Sequence, residues 1–175
     1  MKIAVIGDGF GNSEEIIDKA KEIGREIARR KAILMTGSCL GYPYATVQGA
    51  FEEKGKIIGV SPAKNKEEHV AVYNFPFEEF SETRYTGLGI PGRNLTLIKE
   101  ADAAIIIGGK IGSLNEFTIA YQFSKVIGVL KRTGGITEII EKIVNVCDKH
   151  DGRDKLLVYD KEPKKLVEKV IKKLE

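Results

Sequence analysis

The sequence predicts an α/β protein, a three-layer α/β/α sandwich built on a mostly parallel sheet. Three observations carry that prediction: short apolar runs of buried-strand type recur along the chain, glycine-rich turns follow several of them, and helical spacing fills the intervals. Regular alternation of strand and helix requires right-handed crossovers, and these make neighbouring strands parallel. At 175 residues the chain is expected to form one domain, residues 1–175, with a core of its own.

The first run, Lys2 to Gly7 (KIAVIG), ends in the turn Asp8-Gly9-Phe10-Gly11. Asn12 or Ser13 is placed to cap a helix that carries Glu14 and Glu15 in its first turn and Ile16, Ala20, Ile23 and Ile27 on one face. Ala32 to Thr36 is the second buried strand and runs into Gly37-Ser38-Cys39-Leu40-Gly41. A helix from about Tyr42 to Lys54 leads to a third strand, Lys56 to Val60, that closes at Ser61-Pro62. From Ala63 to Gly89 the alternation breaks. Aromatics (Tyr73, Phe75, Phe77, Phe80, Tyr85) lie among acids, with one candidate strand at Val70 to Tyr73. A connection of that length is expected to be a packed loop, a lid or a subunit contact. Beyond it come a short helical pattern, the apolar strand Ala103 to Ile107, and a helix carrying Ser113 and Glu116. Val126 to Leu130 is the next strand, and Ile136 to Cys147 a helix with Ile136, Ile139, Ile140 and Ile143 inward. Leu156 to Tyr159 is a last short strand. Pro163 suits the first position of a terminal helix whose inner face holds Leu166, Val167, Val170, Ile171 and Leu174.

Composition narrows the function classes. With 42% hydrophobic and 30% charged residues the chain is neither disordered nor membrane-embedded. The amino terminus MKIAVIGDG is expected to enter a strand at once, not to form a signal peptide, so a cytoplasmic protein is expected. Net charge is +3, and Asp154, Asp160, Glu162, Glu168 and Glu175 interleave with the C-terminal lysines. Without a basic stripe, no nucleic-acid partner is expected. Cys39 and Cys147 fit reduced thiols, and neither has a partner at metal-ligand spacing, so no metal is expected.

The stretch most suggestive of a site is Ile90 to Glu116. A strand that runs into a glycine turn and a helix N-terminus leaves backbone N–H groups without intrahelical partners, and such groups attract anions. Arg93, a planar and permanently charged fork, lies where the chain can fold back over the same crevice. In sheets of this kind ligands sit beyond the carboxyl ends of the strands, where strand order reverses. If the first strand and the Ala103 strand are neighbours, the turns at Gly7 to Gly11, Gly37 to Gly41, Pro91-Gly92 and Gly108 to Gly112 converge.

Each of these residues also has a purely structural reading. Ser113-Leu114-Asn115-Glu116 is a capping box in form, which stabilises a helix start without chemistry. A carboxylate in a first helical turn would be held ionised, a base and not a general acid. Arg93 can be a surface or salt-bridged arginine, and Asp102 a residue that begins a strand. His69 and His150 are expected at the surface, and Tyr121 in the core. The Gly7-Asp8-Gly9-Phe10-Gly11 turn matches a dinucleotide fingerprint only loosely, and no acid ends the second strand, which argues against an NAD dehydrogenase. Gly108-Gly109-Lys110 lacks the Ser or Thr and the spacing of a P-loop.

The combined pattern, Arg93-Asn94, Ala101-Asp102-Ala103 and Gly108-Gly109-Lys110-Ile111-Gly112-Ser113-Leu114-Asn115-Glu116, resembles the Lonely Guy (LOG) and "possible lysine decarboxylase" group together with the molybdenum-cofactor carrier proteins. Thr36-Gly37-Ser38 through Gly49-Ala50 and Ile58 to Pro62 extend the resemblance over most of the chain. It implies a Rossmann-like fold and a phosphorylated small-molecule ligand, of AMP type or molybdopterin type, with no certain cofactor. It also implies a homo-oligomer. Ligand contacts are expected at Gly7, Asp8, Thr36, Gly37, Ser38, Gly92, Asn94, Gly109, Lys110, Ile111, Gly112 and Ser113. In LOG enzymes the matching arginine and glutamate serve hydrolysis of a nucleoside monophosphate at its N-glycosidic bond, which implies catalytic roles for Arg93 and Glu116. Two departures matter: Gly108 replaces a proline and Lys110 a glycine. Asn94, where LOG enzymes commonly have lysine, follows the carrier pattern. Binding or carriage is therefore the first expectation, phosphoribohydrolase activity the second, and a non-catalytic interaction protein with a vestigial crevice the third. Nothing in the sequence suggests a pyridoxal site.

Overall fold

The computed structural model describes residues 1–147 and 152–175; His150 lies outside them. Among the described residues seven parallel strands form one sheet in the order β4-β3-β2-β1-β5-β6-β7. The strands are β1 (Lys2–Gly7), β2 (Ile33–Thr36), β3 (Ile57–Ser61), β4 (Glu82–Tyr85), β5 (Ala103–Ile107), β6 (Val126–Leu130) and β7 (Leu157–Asp160). The helices are α1 (Glu14–Arg29), α2 (Gly41–Glu52), α3 (Lys66–Ala71), α4 (Gly89–Glu100), α5 (Ile111–Gln122), α6 (Ile140–Cys147) and α7 (Pro163–Leu174). The predicted three-layer Rossmann-like architecture is the one observed. No helix among the described residues is long and apolar enough to cross a membrane.

Two-residue periodicity divides the core. Ile3, Val5, Leu34 and Ile105 point to one face, where α1, α2 and α7 cover them with Ile23, Ile27, Val47, Leu166 and Val170. Ala4, Ile6, Met35 and Ile106 point to the other, beneath Leu97, Ile98, Phe117 and Ile140 of α4, α5 and α6. Strands buried on both faces need apolar residues at every position, which is why β1, β5 and β6 read as unbroken apolar runs.

On the first face α1 and α2 touch backbone to backbone. A Cβ on Gly24 would lie 1.9 Å from Thr46 O, and one on Gly49 would lie 2.0 Å from Lys21 O. Helix propensity favours alanine over glycine by about 1 kcal/mol. The clash here is with backbone, which cannot rotate away, and it decides the sign. Gly24→Ala is therefore expected to lose a net ~1–3 kcal/mol of stability, read as a lower urea midpoint at unchanged slope.

Four sequence expectations are corrected. Val70 to Tyr73 is no strand. Asn65 Oδ1 accepts from Glu68 N at 2.9 Å and opens α3, so Val70 is helical and Val72 is its C-cap. β4, a polar edge strand held on Ile58 to Ser61, was not anticipated. Ile139, expected inward, is 46% exposed, because a 3₁₀ turn over Gly135–Glu138 breaks the helical phase before α6 begins. His69, expected at the surface, is fully buried. Its Nε2–H donates to Pro76 O at 3.0 Å, leaving Nδ1 to accept from Ser61 Oγ at 2.8 Å.

Asp102 leads into β5 as anticipated, its Oδ2 accepting from Lys2 N at 2.7 Å. Tyr121 lies in the core beside Phe117.

Candidate functional site

Strand order reverses between β1 and β5. From β1 the chain steps outward through β2, β3 and β4, then crosses back to β5 on β1's other side. Helices therefore diverge from adjacent strand ends and leave a crevice at their carboxyl edge. A cavity of about 430 Å³ lies there, and its wall includes Gly7, Asp8, Gly37, Arg93, Asn94, Lys110, Gly112, Ser113 and Glu116.

Local backbone geometry makes the crevice. Gly7 can carry no side chain, because a Cβ would sit 2.3 Å from Ile107 O. Asp8 folds the β1–α1 loop: its N–H donates to Ile107 O at 3.2 Å, and its Oδ1 accepts from Phe10 N at 2.9 Å. Gly108 and Gly109 turn β5 into α5 with φ of +59° and +100°. Proline, whose ring holds φ at about −65°, has no access to that turn, which accounts for glycine at Gly108. Lys110, by contrast, has φ −123° and is the N-cap of α5, so a side chain is accommodated without strain.

The capping-box reading of Ser113-x-x-Glu116 is thereby overturned. α5 begins at Ile111, which puts Ser113 at its third residue and Glu116 in its second turn. Ser113 Oγ instead donates to Gly7 O at 2.9 Å, tying α5 to the end of β1. Glu116 is buried, and burial pushes its carboxyl up to about 7 while the Arg93 guanidinium opposes the rise. The first-turn expectation of a carboxylate held ionised fails for the same reason. At neutral pH this group can both give and take a proton.

Arg93 sits on α4 with its side chain buried. Its Nη1 donates to Glu116 Oε1 at 3.3 Å, and its buried Nε has no hydrogen-bond partner among the described residues. The guanidinium lies against the end of β2, where a Cβ on Gly37 would fall 1.6 Å from Nη1. Glycine at Gly37 is thus what admits the arginine. In the orientation that satisfies its neighbours, the Asn94 amide nitrogen donates to Glu116 Oε1 and to Ile90 O, each at 3.1 Å. Desolvation pushes the Cys39 thiol up to about 11, so Cys39 lines the cavity without being a ready nucleophile.

Five expected contact residues lie off the wall. Thr36 Oγ1 accepts from Ser38 N at 3.2 Å and shapes the turn after β2, and Ser38 is buried behind it at φ 54°. Gly92 lies in α4 and faces Leu88 at that helix's N-cap. Gly109 O accepts from Ile136 N at 2.9 Å, and Ile111 is 79% exposed. The sequence reading missed the apolar part of the wall, formed by Phe10, Leu40, Pro43, Val72, Tyr73, Phe75 and Ile90. The aromatic cluster after β3 was the signal for Tyr73 and Phe75. Their rings lie 5.5 Å apart, and the His69 ring meets Phe75 edge-on at 5.7 Å, holding it in place.

The model of the SLOG cluster4 family matches residues 1–167. The chain belongs to that family. An uncharacterized protein of Archaeoglobus fulgidus is 29% identical over 153 residues, 84% of this chain and 94% of its own length. Among solved structures, the molybdenum cofactor binding protein from Rippkaea orientalis superposes with a TM-score of 0.81 at 23% identity, over 99% of this SLOG cluster4 chain and 97% of its own. The molybdenum cofactor carrier protein from Chlamydomonas reinhardtii gives 0.79 at 23% identity, over 99% and 97%. At such identities the likeness is one of fold. The sequence resemblance to LOG-type and cofactor-carrier proteins is borne out at the level of family and architecture.

Proposed function

We propose that this SLOG cluster4 protein binds a nucleotide or a similarly phosphorylated heterocycle in the crevice between β1 and β5. One observation carries the reading: a buried arginine, its Nε without a partner among the described residues, lines a cavity at the switch point of the sheet. A buried guanidinium donor left unmatched is costly unless a guest supplies an acceptor. The N-terminal turn of α5 lines the same cavity through Gly112 and Ser113, and its amides favour the same charge. The wall also carries an apolar and aromatic part that includes Phe10, Tyr73 and Phe75, which suits the flat ring system of a base or pterin, and the volume falls in the range of small-ligand sites. The carrier proteins of like fold support carriage of such a ligand as cargo. The partner is proposed to be a small molecule and not a nucleic acid, in a cytoplasmic homo-oligomer. Exposed Leu88, Ile90 and Leu95 on and before α4 support self-association.

A second reading rests on Glu116. A carboxyl that titrates near neutrality inside the cavity is suited to activate water or protonate a leaving base, the chemistry of N-glycosidic hydrolysis of a nucleoside monophosphate. The two readings separate in one experiment. Calorimetry and melting curves with AMP, other nucleoside monophosphates and a phosphorylated pterin are expected to give saturable binding and a raised Tm, with no free base or ribose 5-phosphate. Release of base that disappears in Glu116→Gln would move the assignment to a phosphoribohydrolase. Failure of every one of these compounds to bind would leave the crevice vestigial and overturn both readings.

A further inference from the structure

Two cations line the cavity, and they differ in kind. Arg93 is buried against Glu116, whereas Lys110 stands at the mouth with 68% of its side chain exposed. Glu116 lies six positions along α5 from Lys110, an axial rise of about 9 Å, with Gly112 and Ser113 between them on the wall. The crevice therefore offers positive charge at two separate points, joined by the amide end of a helix.

At rest Lys110 Nζ reaches back across the mouth to Asp8 Oδ2 at 3.3 Å, and it stands 5.5 Å from the centre of the Phe10 ring. Asp8 is the fixed member of this pair, held by its bonds to Ile107 and Phe10. Lys110 is the adaptable one. A point charge on an unbranched stem reorients readily, and an exposed ion pair holds it only weakly.

We propose that Lys110 selects the ligand by its charge, leaving Asp8 to engage a second phosphoryl group, so that the preferred guest is a diphosphate such as a nucleoside diphosphate. The inference rests on the reading that the cavity binds a phosphorylated heterocycle at Arg93. Asp8 acts as a competitor that stores the ammonium over the mouth and disfavours guests too short to draw it away.

The test is calorimetric titration of ADP and AMP into the wild type, Lys110→Ala and Asp8→Asn. At low salt ADP is expected to bind roughly 3–10-fold more tightly than AMP. Lys110→Ala is expected to bring that ratio to about one. Asp8→Asn keeps the Oδ1 acceptor for Phe10 N but removes the competing charge, and is expected to raise the ratio. Because the second contact is exposed, about 0.5 M salt should erode the preference. AMP binding with no preference for ADP, or a preference that Lys110→Ala leaves intact, overturns the role of Lys110 while the phosphate reading stands. Absence of binding by either nucleotide overturns both.

Discussion

Arg93→Ala is expected to weaken binding of AMP by about 100-fold or more. Three features set that size. The guanidinium is buried, its Nε has no partner among the described residues, and its Nη1 donates to Glu116 Oε1, an acceptor that the Asn94 amide shares. Removing a buried, charge-assisted donor costs about 2–5 kcal/mol, and ~2.7 kcal/mol corresponds to a factor of about 100. Arg93→Lys should recover only part of the loss, because an ammonium offers one point of charge where the fork offers several coplanar donors. Calorimetry on both variants measures this, with circular dichroism to establish that they remain folded. Folding should survive, since without Arg93 the buried Glu116 carboxyl simply keeps its proton. An Arg93→Ala protein that binds AMP within a factor of three of the wild type would place the phosphate elsewhere in the crevice.

The pairing of Arg93 with Glu116 came from the resemblance to LOG-type proteins, whereas the crevice they share was legible from the regularity of the fold. β1, β5 and β6 were predicted with the bounds they have, because a strand buried on both faces must be apolar at every position and the residues around it are glycine or charged. Once those strands are placed, the reversal of order between β1 and β5 brings the glycine corners together, whatever lies between. The apolar wall was not legible in this way. Val72, Tyr73 and Phe75 reach the cavity through the return path of a segment that obeys neither period, and His69 holds that path by contacts with Ser61 and Pro76. β4 escaped notice because Glu82-Thr83-Arg84-Tyr85 is an edge strand with a polar outer side. Ser113 and Glu116 satisfied a capping pattern whose helix in fact starts three residues earlier, at Ile111 and not Leu114. The sequence motif there was sound and its local interpretation was not, because a long-range bond from Ser113 to Gly7 took the place of the cap.

The burial of Glu116 has a thermodynamic signature that reports on the site without any ligand. Its carboxyl is raised from an ordinary 4.5 to about 7 by burial, with Arg93 opposing. Below about pH 4.5 the group is protonated in both folded and unfolded chains and contributes no pH dependence. Between about 4.5 and 7 the unfolded chain releases this proton while the folded chain keeps it, so stability falls as pH rises; above about 7 both forms are ionised and the loss is complete. A difference of two to three pKa units corresponds to ~3 kcal/mol. Glu116→Gln removes this titration and keeps the shape, so the stability of the variant relative to the wild type should rise by about 3 kcal/mol between pH 4 and pH 8. Urea denaturation of both proteins across that range measures it. Asp160, held low by Lys169, and the lowered Glu15 and Glu82 lose their contributions at acid pH, but they do so equally in both proteins and cancel in the difference. A phosphate beside Arg93 would add a like charge near Glu116 and raise its carboxyl further, so nucleotide uptake should be accompanied by proton uptake and weaken above about pH 7. A stability difference that stays flat from pH 4 to 8 would mean that Arg93 fully compensates the buried charge, and the carboxyl would then have no proton to give to a leaving base.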